Sequence, residues 1–386
     1  MDTEALIPVR IGEVAADSPV AWAEGMQVSL PQSTLEKTGL TRHLDSKGDL
    51  KVPTEHLFID PGEVQSLRSR AAFTDPKPLS SRLPISYHRV PARLRSLVAS
   101  AIGRWQRGRQ ERWAKFPGWP LDLSADFLSD LRGSEPSPFR SGPTPVLLSH
   151  DLDSPEGLEN VVRMFLDLEE KAGARSSNYI VPCGWSIDDG LLNEIQERGH
   201  EVGIHGYDHA NLTAFCDSRQ QRERLEGARQ LIQRYSIIGY RSPSLLRTRS
   251  LLHTLGEFYR YDSSIPTSGG LFPIPNNGCS SARPFQIEGI TEIPISLPRD
   301  GSLKALGYSP DQSLEFWIHC GEAISRSGGV VVLLTHCESR FSGNSRAIDA
   351  YRRFLEHVSA SDRYVWSTPG EVLERAFDTG KINRAS

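Results

Sequence analysis

The stretch Pro145-Val146-Leu147-Leu148-Ser149-His150-Asp151-Leu152-Asp153 decides how the rest of this chain is read. Its first part, Pro145–His150, reads as a buried strand, and it leads to two acids at the carboxyl end. Asp151 and Asp153 stand two residues apart, so they point the same way if the chain stays extended. Working outward from this strand, apolar strands and amphipathic helices alternate. A helical pattern crosses Leu158 to Lys171, with Val161, Phe165 and Leu168 at helical spacing. A strand over Asn178–Val181, a short helix ending near Arg198-Gly199 and a third strand over Glu201–His205 follow. A long polar helix from about Ser218 to Tyr235 precedes Ile237–Arg241, and the rhythm repeats through Tyr259–Ile265 and Ile290–Leu297. Gly329–Thr335 is the most strand-like run of all; Tyr364–Trp366 and a helix over Pro369–Phe377 close the series. Seven or eight strands separated by helices predict the α/β class, as a parallel (β/α)7–8 barrel. An open doubly wound sheet is the competing architecture. Both put the chemistry at the carboxyl ends of the strands.

The polar residues gather at those ends. The third strand leads to His205-Gly206-Tyr207-Asp208-His209, and if the chain turns helical there the two imidazoles share a face one turn apart. Two imidazoles and one carboxylate can fill three positions on a divalent ion and leave others open, which is what metal-assisted hydrolysis needs. The plainer readings are a histidine pair in the core or on the surface, and acids that cap a helix. Common placement at one end of the α/β units favours the sharper reading. Three more strand ends contribute: Gly239-Tyr240-Arg241-Ser242-Pro243, Tyr261-Asp262-Ser263-Ser264 and Leu333-Leu334-Thr335-His336.

In motif order and spacing, residues from about 143 to 380 resemble the polysaccharide deacetylases, the NodB-like carbohydrate esterase family 4. The first motif of that family usually carries adjacent aspartates; here Ser149-His150-Asp151-Leu152-Asp153 is similar to the branch with Asp-x-Asp. The resemblance implies Asp151 as general base and Asp153, His205 and His209 as metal ligands. It implies Arg241 as the residue orienting the base, from an Arg-x-Pro motif completed by Pro243, and Asp262 as the nearest counterpart of the fourth motif. His336, in Leu-x-His, is then the general acid. Two positions depart from the family pattern: Ser244 replaces an aromatic and Cys337 replaces a proline. The implied activity is removal of an N-acetyl group from a sugar, with one divalent ion as cofactor. Zinc is the default for such a site; cobalt, nickel, iron and manganese are alternatives. A distorted NodB-like barrel over residues 141–386, preceded by an extension of unassigned fold over 1–140, is the implied organisation.

Other residues in and near the motifs have plainer readings. His150 and Asp208 are read as supporting or structural side chains, Glu292 as a charge on a strand or helix edge, and Cys183 and Cys337 as small buried residues. The chain has 386 residues, 44 basic against 48 acidic, which argues against a polyanion binder and so against nucleic acid as a partner. Its 38% hydrophobic and 24% charged content is ordinary for a globular protein. Five scattered cysteines without CxxC suit reduced thiols, and the first 25 residues show no signal-peptide pattern, so a cytoplasmic protein is expected. That setting favours a small substrate such as a nucleotide- or lipid-linked N-acetyl sugar or a glycoside intermediate.

The division near residue 140 follows the linker-like Gly133–Pro138. Before it, Met26–Asp60 is turn-rich, and Pro91–Lys115 reads as a helix with Leu94, Leu97, Val98, Ala101 and Trp105 on one stripe. Arg89 to Lys115 holds eight basic residues and one acidic. The plain reading is a helix packed on the barrel with a solvated basic face. The sharper one is peripheral contact with anionic lipid, or with the phosphates of a nucleotide- or lipid-linked sugar. Three further hypotheses stand beside the deacetylase: the same fold opening a cyclic imide or ureide, a catalytically silent glycan-binding barrel, and a non-haem iron oxygenase, whose usual all-β scaffold the alternating pattern does not support.

Overall fold

The computed structural model describes residues 4–53, 57–74, 92–133, 137–269 and 277–377. Residues 134–136 of the expected linker, and Arg89 and Pro91 ahead of the basic helix, lie outside these. The deciding stretch forms β4 (Thr144–Leu152), longer than expected and buried along its whole length. Around it run β5 (Ser176–Ile180), β6 (Glu201–His205), β7 (Gly239–Arg241), β8 (Tyr261–Asp262), β9 (Phe285–Ile287), β10 (Ile290–Glu292), β11 (Val331–His336) and β12 (Tyr364–Trp366). The sheet order is β11-β4-β5-β6-β7-β8-β10-β9, with β12 also on β4. Every pairing is parallel except the β9–β10 hairpin. Sequential neighbours in space are the mark of a barrel; a doubly wound sheet reverses its order part-way. The open side is narrowed where Leu297 N donates to Val332 O at 3.1 Å and Val332 N donates to Ser296 Oγ at 2.8 Å.

Side-chain parity along these strands places the chemistry. In β4, Val146, Leu148 and Leu152 enter the layer between sheet and helices, while Leu147 lies in the barrel interior with Tyr179, Tyr261, Ile293 and Val332. Asp151 shares the phase of Leu147. His205 is out of phase with Val202 and Ile204, Arg241 with Tyr240, and His336 with Val331 and Leu333, all of which face the helix layer. The expected helix over Leu158–Lys171 is a continuous run of helical segments from Pro155 to Lys171, capped by Ser154. The long polar helix is broken into Ser218–Glu226 and Arg229–Tyr235.

Residues before 140 have structure that the turn-rich reading of Met26–Asp60 did not provide. β1 (Leu6–Ile11) pairs antiparallel with β2 (Gln27–Pro31) and parallel with β3 (Asp49–Leu50). With the helix Pro61–Arg70 they enclose a second core of Val9, Ile11, Leu30, Leu35 and Leu67, which Phe127 and Leu128 complete from the helix Ser124–Leu131. That last helix bridges to the barrel. Asp130 takes a bidentate contact from Arg283 at 2.8 and 2.7 Å, and Asp126 accepts from the Ala282 backbone at 2.8 Å.

Candidate active site

Three expected metal ligands converge. Asp153, His205 and His209 each offer a ligand atom, and these atoms lie within 4.8 Å of one another. His205 Nε2 and His209 Nε2 stand 3.4 and 3.1 Å from Asp153 Oδ1, yet neither makes a well-aligned hydrogen bond to that buried oxygen. Donors arranged about a common point, two neutral-capable imidazoles and a carboxylate, fit a divalent ion with open positions. His205 Nδ1 donates to the Arg241 carbonyl at 3.1 Å, which fixes the tautomer and leaves Nε2 free for a ligand role. Despite burial, which raises it, Asp153 is held well below the usual carboxylate range by His209 and His205.

The helical turn expected after His205 is absent. Gly206 takes φ 69° and His209 φ 57°, both left-handed, so a tight loop rather than a helical turn brings the rings to 5.1 Å. A Cβ at Gly206 would stand 2.4 Å from the Pro243 ring, so the loop needs glycine there twice over. A left-handed histidine is uncommon, and strain of this kind concentrates at functional sites. Asp208 braces the loop by accepting from Ala210 N at 3.1 Å and pairing with Arg224.

Asp151 and Arg241 meet inside the barrel. Arg241 Nη1 donates to Asp151 Oδ1 at 3.0 Å, while Ser263 takes Nε on its carbonyl at 2.9 Å and Nη2 on its hydroxyl at 3.1 Å. The guanidinium also lies 4.1 Å over the Tyr179 ring. Burial pushes the Asp151 carboxyl up, but His205, Arg241 and His336 outweigh it and hold the group ionised.

His336 faces Asp151 across the β11–β4 pair. Its partner is Asp300, which the sequence reading missed. His336 Nδ1 donates to Asp300 Oδ1 at 2.7 Å, and Oδ2 accepts from His336 N at 2.8 Å and Ser342 Oγ at 2.7 Å. Burial lowers the imidazole, yet Asp300 pushes it up to about 10. The signal lay in Pro298-Arg299-Asp300, an acid beside a base directly after a strand-like run. Arg299, Glu338 and Arg340 were also missed. Arg299 is within electrostatic reach of Asp151, Asp300 and Asp153. Arg340 Nη2 lies 3.6 Å from Asp153 Oδ2. Burial and the neighbouring Asp153 raise Glu338 to about 7.

Asp262 does not join the site, and its reading as a catalytic residue is corrected. In β8 Tyr261 has the inward phase, so Asp262 takes the opposite face, in register with Glu292 on β10. Burial raises both carboxyls, and the neighbouring Asp262 raises Glu292 further; Asp262 Oδ1 accepts from Ser264 Oγ at 2.6 Å. Ser264 in turn accepts from Ser242 N at 2.8 Å, so Asp262 supports the end of β7 from behind. Glu292 is therefore a buried partner, not an edge charge. His150 likewise points into the helix layer, between Thr335 at 2.8 Å and Glu169 at 2.7 Å. Cys337 is buried as expected, whereas Cys183 is exposed.

A cleft of about 270 Å³ opens beside Asp300, lined among others by Lys304, Tyr308, Trp317, Phe341 and Arg346. The Phe341 ring is 4.8 Å from the His336 ring, so this cleft adjoins His336.

The family model for polysaccharide deacetylase matches residues 142–254, a segment containing Asp151, Asp153, His205, His209 and Arg241 but not His336. No curated protein matches the chain significantly. Among solved structures, one from Mycobacterium smegmatis assigned as a polysaccharide deacetylase superposes with TM-score 0.52 at 19% identity, over 64% of this chain and 96% of its own. One from Pseudomonas aeruginosa PAO1 with the same assignment gives 0.53 at 14% identity, over 69% and 100%. A PuuE allantoinase gives 0.51 at 15% identity, over 69% and 99%. Residues 142–254 thus match the polysaccharide deacetylase family, and the half-barrel has the NodB-like fold of solved structures assigned to it.

Proposed function

We propose that this protein is a divalent-metal-dependent hydrolase that removes an N-acetyl group from a sugar. The observation that carries the reading is the convergence of Asp153, His205 and His209 beside an ionised Asp151 and a protonated His336. A divalent ion held by those three ligands would polarise the acetamide carbonyl and acidify the attacking water. Asp151, kept ionised by Arg241, accepts the proton of that water as the new C–O bond forms. His336, oriented by Asp300, delivers its Nε2 proton to the nitrogen as the C–N bond breaks, so acetate and a free amine leave. Asp262 has no part in these steps. The presence of base, ligands and acid together argues against a silent binding barrel.

Zinc is the expected ion, and an N-acetyl sugar joined to a phosphate-bearing nucleotide or lipid is the expected substrate. Lys304 and Arg346 in the cleft suit a phosphate, and Tyr308, Trp317 and Phe341 suit a sugar face. The allantoinase relative has the same fold, so the fold by itself does not select the amide; the family match supports the sugar.

The test is acetate release from a UDP-linked N-acetylhexosamine by zinc-loaded protein, with free amine counted in parallel. Equal amounts of both products, abolished by a chelator and restored by zinc, are expected. Release indifferent to the chelator contradicts the proposal.

A further inference from the structure

The helix Ala92–Trp113 packs the wrong way round for a core element. Its buried side is Gly103, Gln106 and Gln110. Gly103 lies so close to Ala305 that a Cβ would collide with its carbonyl, which brings the helix onto the segment Asp300–Ala305. Gln110 accepts from the Tyr308 hydroxyl, and the Arg107 guanidinium stacks 4.3 Å over the Tyr308 ring. The stripe expected to pack on the barrel faces outward instead: Leu97 is 67% exposed, Trp105 64% and Val98 51%, with Ile102 and Trp113 also exposed. The side chain of Leu94 lies outside the described residues.

At 100° per residue, Leu97, Val98, Ala101, Ile102, Trp105 and Trp113 share one half of the helix. Arg109 and Arg112 fall within that half and Arg104 on its border, all exposed. The helix's single acid, Glu111, is engaged by Arg107 at 2.9 Å. A chain of net charge −4 thus places three arginines without an acidic partner among the described residues on the face that exposes its apolar side chains.

We propose that this face is a docking surface for an anionic phospholipid bilayer. Apolar side chains interleaved with arginines match acyl chains beneath negative headgroups. A second copy of the chain fits worse, because a two-fold contact through this face would oppose arginine to arginine. Nucleic acid would meet the arginines but leave Leu97, Val98 and Ile102 without a partner. None of the helices among the described residues is long and apolar enough to cross a membrane, so the contact is peripheral. The helix rests on the segment that begins with Asp300, so docking would hold the cleft close to the lipid surface. The proposal concerns the surface alone and stands or falls separately from the deacetylase chemistry.

The test is co-sedimentation of the full chain with phosphatidylcholine vesicles, with and without phosphatidylglycerol. Binding to the anionic vesicles only, weakened by salt, is expected. Arg109→Gln/Arg112→Gln should reduce the partition coefficient at least about tenfold, since each basic group near an anionic surface contributes substantially. Leu97→Gln/Ile102→Gln/Trp105→Gln should also reduce it, with the melting temperature of both variants unchanged because every replaced side chain is exposed. No sedimentation with either vesicle, or equal sedimentation with both, overturns the proposal. So does a dimer in light scattering that the Leu97→Gln/Ile102→Gln/Trp105→Gln variant abolishes while vesicle binding is absent.

Discussion

At the scale of single residues, the division of labour proposed for Asp151 and His336 rests on what surrounds each. Asp151 is held ionised by His205 and Arg241, and the four hydrogen bonds that Arg241 donates go to Asp151, Ser149 and Ser263. Replacing Asp151 with Asn should lower kcat by roughly 10²–10⁴-fold, the range for loss of a general base, while metal content is retained. The sign for His336 runs the other way. The acid must be protonated, and its imidazole is raised to about 10, so activity should fall as pH rises through that group. A cation at Asp153 pulls the value down, so the alkaline limb should lie between the ordinary histidine value of about 6.5 and about 10. Asp300→Asn removes the carboxylate that raises it. The limb should then move to lower pH, with kcat at neutral pH reduced on the order of ten- to a hundredfold. A pH–rate profile of the two proteins checks this, and an unmoved limb would contradict the role given to Asp300. Asp151, His205, Arg241 and His336 were legible because each ends a recognisable strand. Asp262 was misread because β8 is two residues long and gives no phase, so the inward Ser263 and the outward Asp262 look alike in sequence. Asp300 was missed for a different reason: its only sequence signal is its place after Pro298-Arg299, and its contact with His336 spans 36 residues.

At the scale of elements, the loop from Gly206 to Asn211 sets the precision of the site. His209 reaches Asp153 because the backbone is left-handed at Gly206, His209 and Asn211. No periodicity announces such a loop, and HxxxH read as a helical pair arrives at residues that do converge, but by the wrong geometry. Gly206→Ala should cost about 1–2 kcal/mol from the left-handed conformation alone, and the clash with Pro243 adds to it. A fall in the denaturation midpoint, together with weaker metal binding, is the expected result. The basic helix shows the same limit. Its amphipathic pattern was legible, but a stripe that faces solvent is identical in sequence to one that faces a core. The informative residue was Gly103, whose missing side chain lets the polar face approach Ala305.

At the scale of the whole molecule, the parallel barrel was readable from the alternation of strands and helices, because a buried parallel strand is a continuous apolar run. The small sheet of β1–β3 was not, since its strands are short and surrounded by turns. Its union with the barrel depends on buried charge at Asp126, Asp130 and Arg283. Arg283→Ala strands Asp130 in the interior, although Arg140 still reaches it at 2.6 Å. Loss of about 3 kcal/mol in chemical denaturation is expected, the lower end for breaking a buried pair. All of this scaffolding serves one arrangement, the three ligand atoms of Asp153, His205 and His209 about a shared point. Metal content of the purified protein, beside a His205→Ala variant prepared identically, tests that arrangement most directly. About one divalent ion per chain, lost in the variant, is the expected result. A wild-type protein that stays metal-free after reloading, or a variant that keeps its ion, would contradict it.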